Sequence, residues 1–438
     1  MRSPGGSQLR TLAWLLILGL LIAPAAAAPE RAAFTFLKTV PKSDLNRILN
    51  EERSLFSVNT AAGPGYSAPD ISIALNDVDI YLVEYASQVP EQGNRSVTAT
   101  GLLALPVIPK AKQLPLISYQ HGTVFGKYEV PSYAFQETNP SGFPHYAGAY
   151  ETRYMVSLFA GNGYAVMAAD YFGLGGGADR PEAYFVKASS QQASYDLYKS
   201  VQTHLAANDI QISHTFLGGW SQGGLNTTGL LQKLEAENVV VSGSFTASSP
   251  SDPFAALNGL IYHPRPELDA PWLNTIVSLT VFSFENYYGE PDLAKSVVRP
   301  DFYQDMQRIY SRSYAGPEEL GALFGRLGTR PLLDYFQDQY RDPAYFASSR
   351  YGRLLAAAET YRQQFKSPLQ MFYGTHDEVI KEAIGTLPAQ YQNVLTVDRK
   401  GADPQGIETI KVQGADHRLT FVTAAPTAKA WMDHLREK

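Results

Sequence analysis

Cysteine does not occur among the 438 residues. Its absence excludes disulfides, thiolate nucleophiles, cysteine-ligated zinc, iron–sulfur clusters and a lipidated N-terminal cysteine. An excess of positive charge is missing too: 36 basic residues face 42 acidic ones, a formal net charge of −6. With no electrostatic footprint for nucleic acid, that class of partner is excluded. Charged residues make up only 18 % and apolar ones 45 %, so the chain can bury a sizeable core and is not disordered. Internal repeats and low-complexity tracts are lacking. There is no HExxH or comparable histidine spacing to indicate a catalytic metal, and no Ser-x-x-Lys to suggest a β-lactamase-like mechanism. What remains is hydroxyl, imidazole and carboxylate chemistry, with no cofactor expected.

The N-terminus is set apart from the rest. Arg2 and Arg10 precede an apolar run from Leu12 to Ala23, and Pro24 and the small residues Ala25 to Ala28 follow. This pattern predicts a secretory signal peptide over residues 1–28, cut at Ala26-x-Ala28, with no membrane span left after cleavage. The mature chain then carries 34 basic against 42 acidic residues, a charge of −8, and is expected outside the cytoplasm, secreted or periplasmic.

Downstream, Ser43–Phe56 reads as a helix capped by Ser43. Val78–Ala86 and Ser96–Leu105 alternate apolar and polar residues around the turn Pro90-Glu91-Gln92-Gly93-Asn94, predicting an antiparallel hairpin. Apolar strands at Leu114–Tyr119, Tyr164–Ala169, Ile212–Leu217 and Val239–Phe245 then alternate with helical stretches, the pattern of a parallel sheet with crossover helices. From Pro253 to Lys366 no comparable strand occurs, and helix-compatible, aromatic-rich segments fill the interval. Strands resume at Leu369–Tyr373 and Ile407–Val412, and a last helix is predicted from about Ala425 to Arg436. The fold class is α/β: a hydrolase body in two parts, 29–252 and 367–438, with a helical cap or lid at 253–366 over the strand ends.

Strand Ile212–Leu217 runs into Gly218-Gly219-Trp220-Ser221-Gln222-Gly223-Gly224 and then a helix. Gly219-x-Ser221-x-Gly223 is a nucleophile elbow pattern, in which the serine takes strained backbone geometry and glycines two residues to either side relieve crowding. A serine hydroxyl is a weak nucleophile until an imidazole accepts its proton. In the chain order serine, acid, histidine, the base follows the resumed strand, leaving His417 and His434. His417, in Gly414-Ala415-Asp416-His417-Arg418, is placed in the loop after the last strand, whereas His434 sits near the end of the last helix. Asp377, leaving the strand Leu369–Tyr373, is the expected acid, which would accept the ring N–H and fix the tautomer. Asp252 is the positional runner-up, and Glu378 and Asp416 are expected to be surface charges or secondary contacts. For the oxyanion of a tetrahedral intermediate, the Gln222 N–H is one expected donor. The Thr123 N–H in Gln120-His121-Gly122-Thr123 is the other, with Gly122 as the alternative and His121 as a structural histidine.

The succession of Gln120-His121-Gly122-Thr123, Asp170-Tyr171-Phe172-Gly173-Leu174-Gly175, Gly219-Trp220-Ser221-Gln222-Gly223, Asp377 and His417 resembles the α/β-hydrolase superfamily over nearly the whole mature chain. The N-terminal leader and the long helical insertion resemble its secretory lipases and esterases. The resemblance implies an eight-stranded, mostly parallel sheet and hydrolysis of a small or lipid-like carboxylic ester, without metal or cofactor. Gly-Trp-Ser-x-Gly-Gly also resembles the nucleophile region of proline-specific oligopeptidases. Those enzymes carry a large N-terminal propeller, whereas only about fifty mature residues precede the hairpin here. A peptidase, or a non-catalytic binder of the same fold, are the alternatives. Two glycine-rich stretches are set aside. Gly122-Thr-Val-Phe-Gly126-Lys127 has three residues between its glycines where a phosphate loop has four, and Gly173-Leu-Gly175-Gly-Gly177 lacks the dinucleotide spacing. Ala270–Phe284, apolar and uncharged, is expected either to line an acyl pocket or to pack the cap against the body.

Overall fold

Side chains alternate across a strand, so a sheet buried on both faces needs apolar residues at consecutive positions. Leu116 and Ile117, Met167 and Ala168, and Phe216 and Leu217 are such pairs, and in each pair the two residues fall in different buried clusters. A computed structural model describes residues 32–57, 62–136, 149–397 and 406–437. The leader expected at 1–28 lies outside them.

The elements run β1 (Ala33–Val40), α1 (Lys42–Ser57), β2 (Val78–Val89), β3 (Arg95–Pro106), β4 (Gln113–Gln120), α2 (Tyr150–Phe159), β5 (Ala165–Ala169), α3 (Lys187–Ala207), β6 (Gln211–Trp220), α4 (Gln222–Ala236) and β7 (Gly243–Ala247). Then come α5 (Pro253–Tyr262), α6 (Asn274–Tyr287), α7 (Leu293–Val297), α8 (Pro300–Ser311), α9 (Pro317–Leu327), α10 (Pro343–Ser348) and α11 (Arg350–Ala357). The chain closes with β8 (Leu369–Gly374), α12 (Glu382–Val397), β9 (Ile407–Val412) and α13 (His417–Arg436). One nine-stranded sheet has the order β1-β2-β3-β5-β4-β6-β7-β8-β9. Its first three strands are antiparallel, and the six from β5 to β9 are mutually parallel. Helices α3 and α4 and the buried side chains of the insertion share one cluster, and α1, α2 and α13 pack in the other.

The sheet has nine strands where eight were expected. The extra strand is β1, an edge strand that pairs only with β2 through a bulge between Phe36 and Lys38. Its burial does not alternate, and only Val40 is buried, so it lacks the pattern that marks the others. Strand β7 begins at Gly243, four residues later than the Val239–Val241 run suggests, because Val240 points to solvent with 81 % exposure. The insertion between β7 and β8 is helical as expected, apart from one isolated bridge between Val298 and Phe336. The last helix starts at His417 and runs through Pro426, so His417 is its first residue and not a loop residue.

Candidate active site

Strand β6 ends at Trp220 and α4 begins at Gln222, leaving Ser221 alone to make the turn. Its backbone is left-handed, φ 57° and ψ −123°, a costly conformation for a non-glycine residue. The flanking glycines are there for contact. A Cβ on Gly223 would stand 1.9 Å from the Gln120 carbonyl oxygen, and one on Gly219 would stand 2.3 Å from that of Gly223.

The structure brings Ser221, His417 and Asp377 together. Ser221 Oγ lies 2.9 Å from His417 Nε2, and His417 Nδ1 is 3.1 Å from each carboxylate oxygen of Asp377. Both partners of the second contact are buried, at 5 % and 2 % side-chain exposure. Asp377 Oδ1 also accepts the N–H groups of Val379 (2.9 Å) and Ile380 (2.7 Å). Burial pushes the Asp377 carboxyl up, but the facing imidazole and the backbone N–H of Ile380 outweigh it and hold the group below its usual range. For His417, burial works against the charged form. The carboxylates of Asp377, Glu378 and Asp416 outweigh it and raise the imidazole above its usual 6.5.

The two acidic chain neighbours are secondary contacts. Glu378 accepts the His417 N–H at 3.0 Å, and Asp416 caps α13 through the Leu419 N–H at 2.8 Å. Asp252, the runner-up acid, caps α5 and contacts Tyr361 and Arg362. It is therefore a structural residue. His434 is exposed, 3.9 Å from Glu437. His121 is buried between the carbonyls of Gly122 (2.8 Å) and Asp170 (3.2 Å), and burial lowers its pKa to about 4. It is neutral and structural.

In the loop after β4 most backbone groups are already bonded. The Gly122 N–H donates to both oxygens of Glu151, at 3.0 and 2.9 Å. The N–H groups of Phe125 and Gly126 donate to Glu129. The Val124 carbonyl accepts from Arg312 at 3.0 Å, and that of Phe125 accepts from the Tyr314 hydroxyl. Among the described residues the N–H groups of Thr123 and Gln222 have no protein acceptor, so Gly122 is the occupied alternative and Thr123 the available one. Thr123 Oγ1 sits 2.8 Å from the Tyr184 hydroxyl.

A cavity enclosing about 420 Å³ of empty space, its open mouth included, reaches Ser221. Leu257 and Leu260 of α5, Ile276 and Thr280 of α6, Leu355 of α11 and Val379 contribute to its largely apolar wall. The segment 270–284 both lines this cavity and packs in the core. Ile276 and Thr280 face the cavity, while Val277, Leu279, Val281 and Phe284 are fully buried in the core. Trp220 is a packing residue, stacked on Phe421 with ring centroids 5.3 Å apart. Glu151, Arg312 and Tyr314 went unread in the sequence, where each stands among other polar and aromatic residues with no motif spacing. No group of three potential metal ligands occurs among the described residues.

No family model and no curated protein matches the sequence. Solved structures do match. A presumed hydrolase of Legionella pneumophila is 18 % identical, covering 93 % of this chain and 99 % of its own, with a TM-score of 0.72. The rice cell wall degrading esterase LipA of Xanthomonas oryzae is 17 % identical over 94 % and 99 %, at 0.69. Candida antarctica lipase A is 15 % identical over 87 % and 77 %, at 0.58. At such identities the likeness is one of architecture: the chain has the α/β-hydrolase fold.

Proposed function

We propose that the protein is an exported serine hydrolase that cleaves carboxylic esters through an acyl-enzyme. One observation carries this reading: the 2.9 Å contact of Ser221 Oγ with His417 Nε2, backed by Asp377 on the other ring nitrogen, in the wall of an apolar cavity. Ser221 Oγ attacks the ester carbonyl while His417 takes its proton. Asp377 holds Nδ1–H toward itself, leaving Nε2 free to accept, and stabilises the imidazolium. The N–H groups of Gln222 and Thr123 receive the oxyanion. His417 then protonates the departing alkoxide, and a water activated by the same imidazole releases the acid. An apolar wall next to the nucleophile suits an acyl chain. The esterase and the lipase among the similar folds support the same chemistry, and the N-terminal leader supports export.

A fluorophosphonate probe tests the nucleophile, and folded protein in which Ser221 stays unlabelled would count against catalysis. A panel of p-nitrophenyl esters of graded chain length, run beside prolyl amides, tests the substrate class. Turnover of the esters is expected, and cleavage of the amides alone would make the protein a peptidase.

A further inference from the structure

We propose that Arg312 and Tyr314, in the turn between α8 and α9 of the inserted segment, are positioning residues that hold the loop 122–126 so that the Thr123 N–H meets the oxyanion. The inference rests on the ester-hydrolase reading of Ser221. It changes the part assigned to the insertion, which becomes one half of the frame around the proposed oxyanion hole as well as a cover for the nucleophile.

The argument begins with how the loop is gripped. From the body side Glu151 and Glu129 take its N–H groups, at Gly122, Phe125 and Gly126. From the insertion side Arg312 and Tyr314 donate to its carbonyls, at Val124 and Phe125. Thr123 lies between the two sets of anchors. The Arg312 guanidinium is 4 % exposed and is built into its place. It donates to the Tyr310 carbonyl at 2.7 Å and to the Val124 carbonyl at 3.0 Å, and it lies 2.6 Å from the Glu182 carboxylate, itself 3 % exposed. A buried charge is tolerated only when paired and hydrogen-bonded, and the planar guanidinium pairs with Glu182 while donating to two carbonyls. Arg312 also has φ 53°, an uncommon backbone for a residue with a side chain. That conformation turns the chain off α8 and brings Tyr314 to Phe125. The backbone of Glu182 is fixed in turn: Ser283 Oγ and the Tyr310 hydroxyl both donate to its carbonyl, at 2.7 and 3.0 Å. The chain at 312–314 therefore cannot swing away without releasing the loop.

The test separates this role from a merely structural one. Tyr314→Phe removes one hydrogen bond and keeps the ring. Arg312→Lys keeps the charge beside Glu182 and loses the fork. Arg326→Ala, which breaks an exposed ion pair with Asp305 in the same insertion, is the control. Turnover is measured on p-nitrophenyl acetate per active site, titrated to completion with a fluorophosphonate. Misplacing a donor by about 1 Å can cost roughly 100-fold, and loosening one anchor is expected to lower kcat about 10-fold in Tyr314→Phe and further in Arg312→Lys. KM should stay within about two-fold, since the lost contact acts only in the transition state. The rate of phosphonylation should slow in parallel, and Arg326→Ala should match the parent. Unchanged kcat in both variants, with or without a lower Tm, would overturn the proposal, as would a loss confined to KM. A parent protein that neither labels nor turns over would instead refute the hydrolase reading itself.

Discussion

Trp220 Nε1 donates to the carbonyl of His417 at 2.9 Å. The residue before the proposed nucleophile therefore fastens the residue proposed as its base, across 197 positions of sequence. The indole also packs against the imidazole, tilted by 41° with ring centroids 5.0 Å apart, and is backed by Phe56 and Phe421.

Trp220→Phe retains most of this packing and deletes the one hydrogen bond. His417 is then held less firmly toward Ser221, and kcat is expected to fall roughly 10-fold with little change in KM. Steady-state kinetics on a short p-nitrophenyl ester would show it. A change confined to KM would mean that the indole acts as a pocket wall.

The base must be neutral to accept a proton, and its carboxylate neighbours raise His417 above 6.5. Activity should therefore rise with pH along a limb whose midpoint lies above 6.5. Asp377→Asn keeps an oxygen for the Val379 and Ile380 N–H groups but presents no charge to the ring. By analogy with the same change in a serine protease triad, kcat should drop by about 10⁴. The acid limb should also move down in pH, because the strongest influence raising the imidazole is gone. A pH–rate profile of the residual activity decides this. A limb that stays in place would show that Asp377 does not set the charge of the ring.

Much of this arrangement was legible in the sequence. Ser221 was marked by glycines at two fixed offsets between a strand and a helix, and Asp377 and His417 followed from their places after two late strands. These are local signals, each tied to a strand end. What escaped were features that depend on contacts remote in sequence. β1 carries no burial pattern because it is an edge strand. The helix holding His417 starts eight residues earlier than expected, with Asp416 as its cap. Glu151 binds Gly122 across 29 positions, and Arg312 binds Val124 across 188. Neither pairing leaves a periodicity to be read.

Glu151 is buried against Gly122 and accepts the Tyr119 hydroxyl at 2.5 Å. Burial pushes its carboxyl up to about 7, against the pull of those two donors and of His417. An acid whose folded pKa exceeds its unfolded value binds more protons when folded, so its contribution to stability is full below about 4.5 and is lost as pH rises toward about 7. Glu151→Gln removes that titration and keeps an acceptor for Gly122. The stability of the variant relative to the parent should improve between pH 5 and pH 8, by up to about 3 kcal/mol. Urea unfolding at the two pH values measures the difference. A constant difference would place the carboxyl's pKa in the ordinary range.

Ile276 faces the cavity from α6, and most of that helix's other side chains are buried. Ile276→Trp adds volume at a wall that cannot retreat, because Val277, Leu279 and Val281 are fully buried around it. Space for an acyl chain shrinks while Ser221, His417 and Asp377 are untouched. One methylene in an apolar pocket is worth about 10-fold or more in kcat/KM. Octanoate turnover should therefore fall by at least about 10-fold, while acetate changes by less than about three-fold. The ratio across a p-nitrophenyl ester series, with the site titrated in each preparation, removes any effect of partial unfolding. Equal losses on both esters would show that the acyl chain lies elsewhere, and a shift toward short chains would identify this cavity as the acyl pocket.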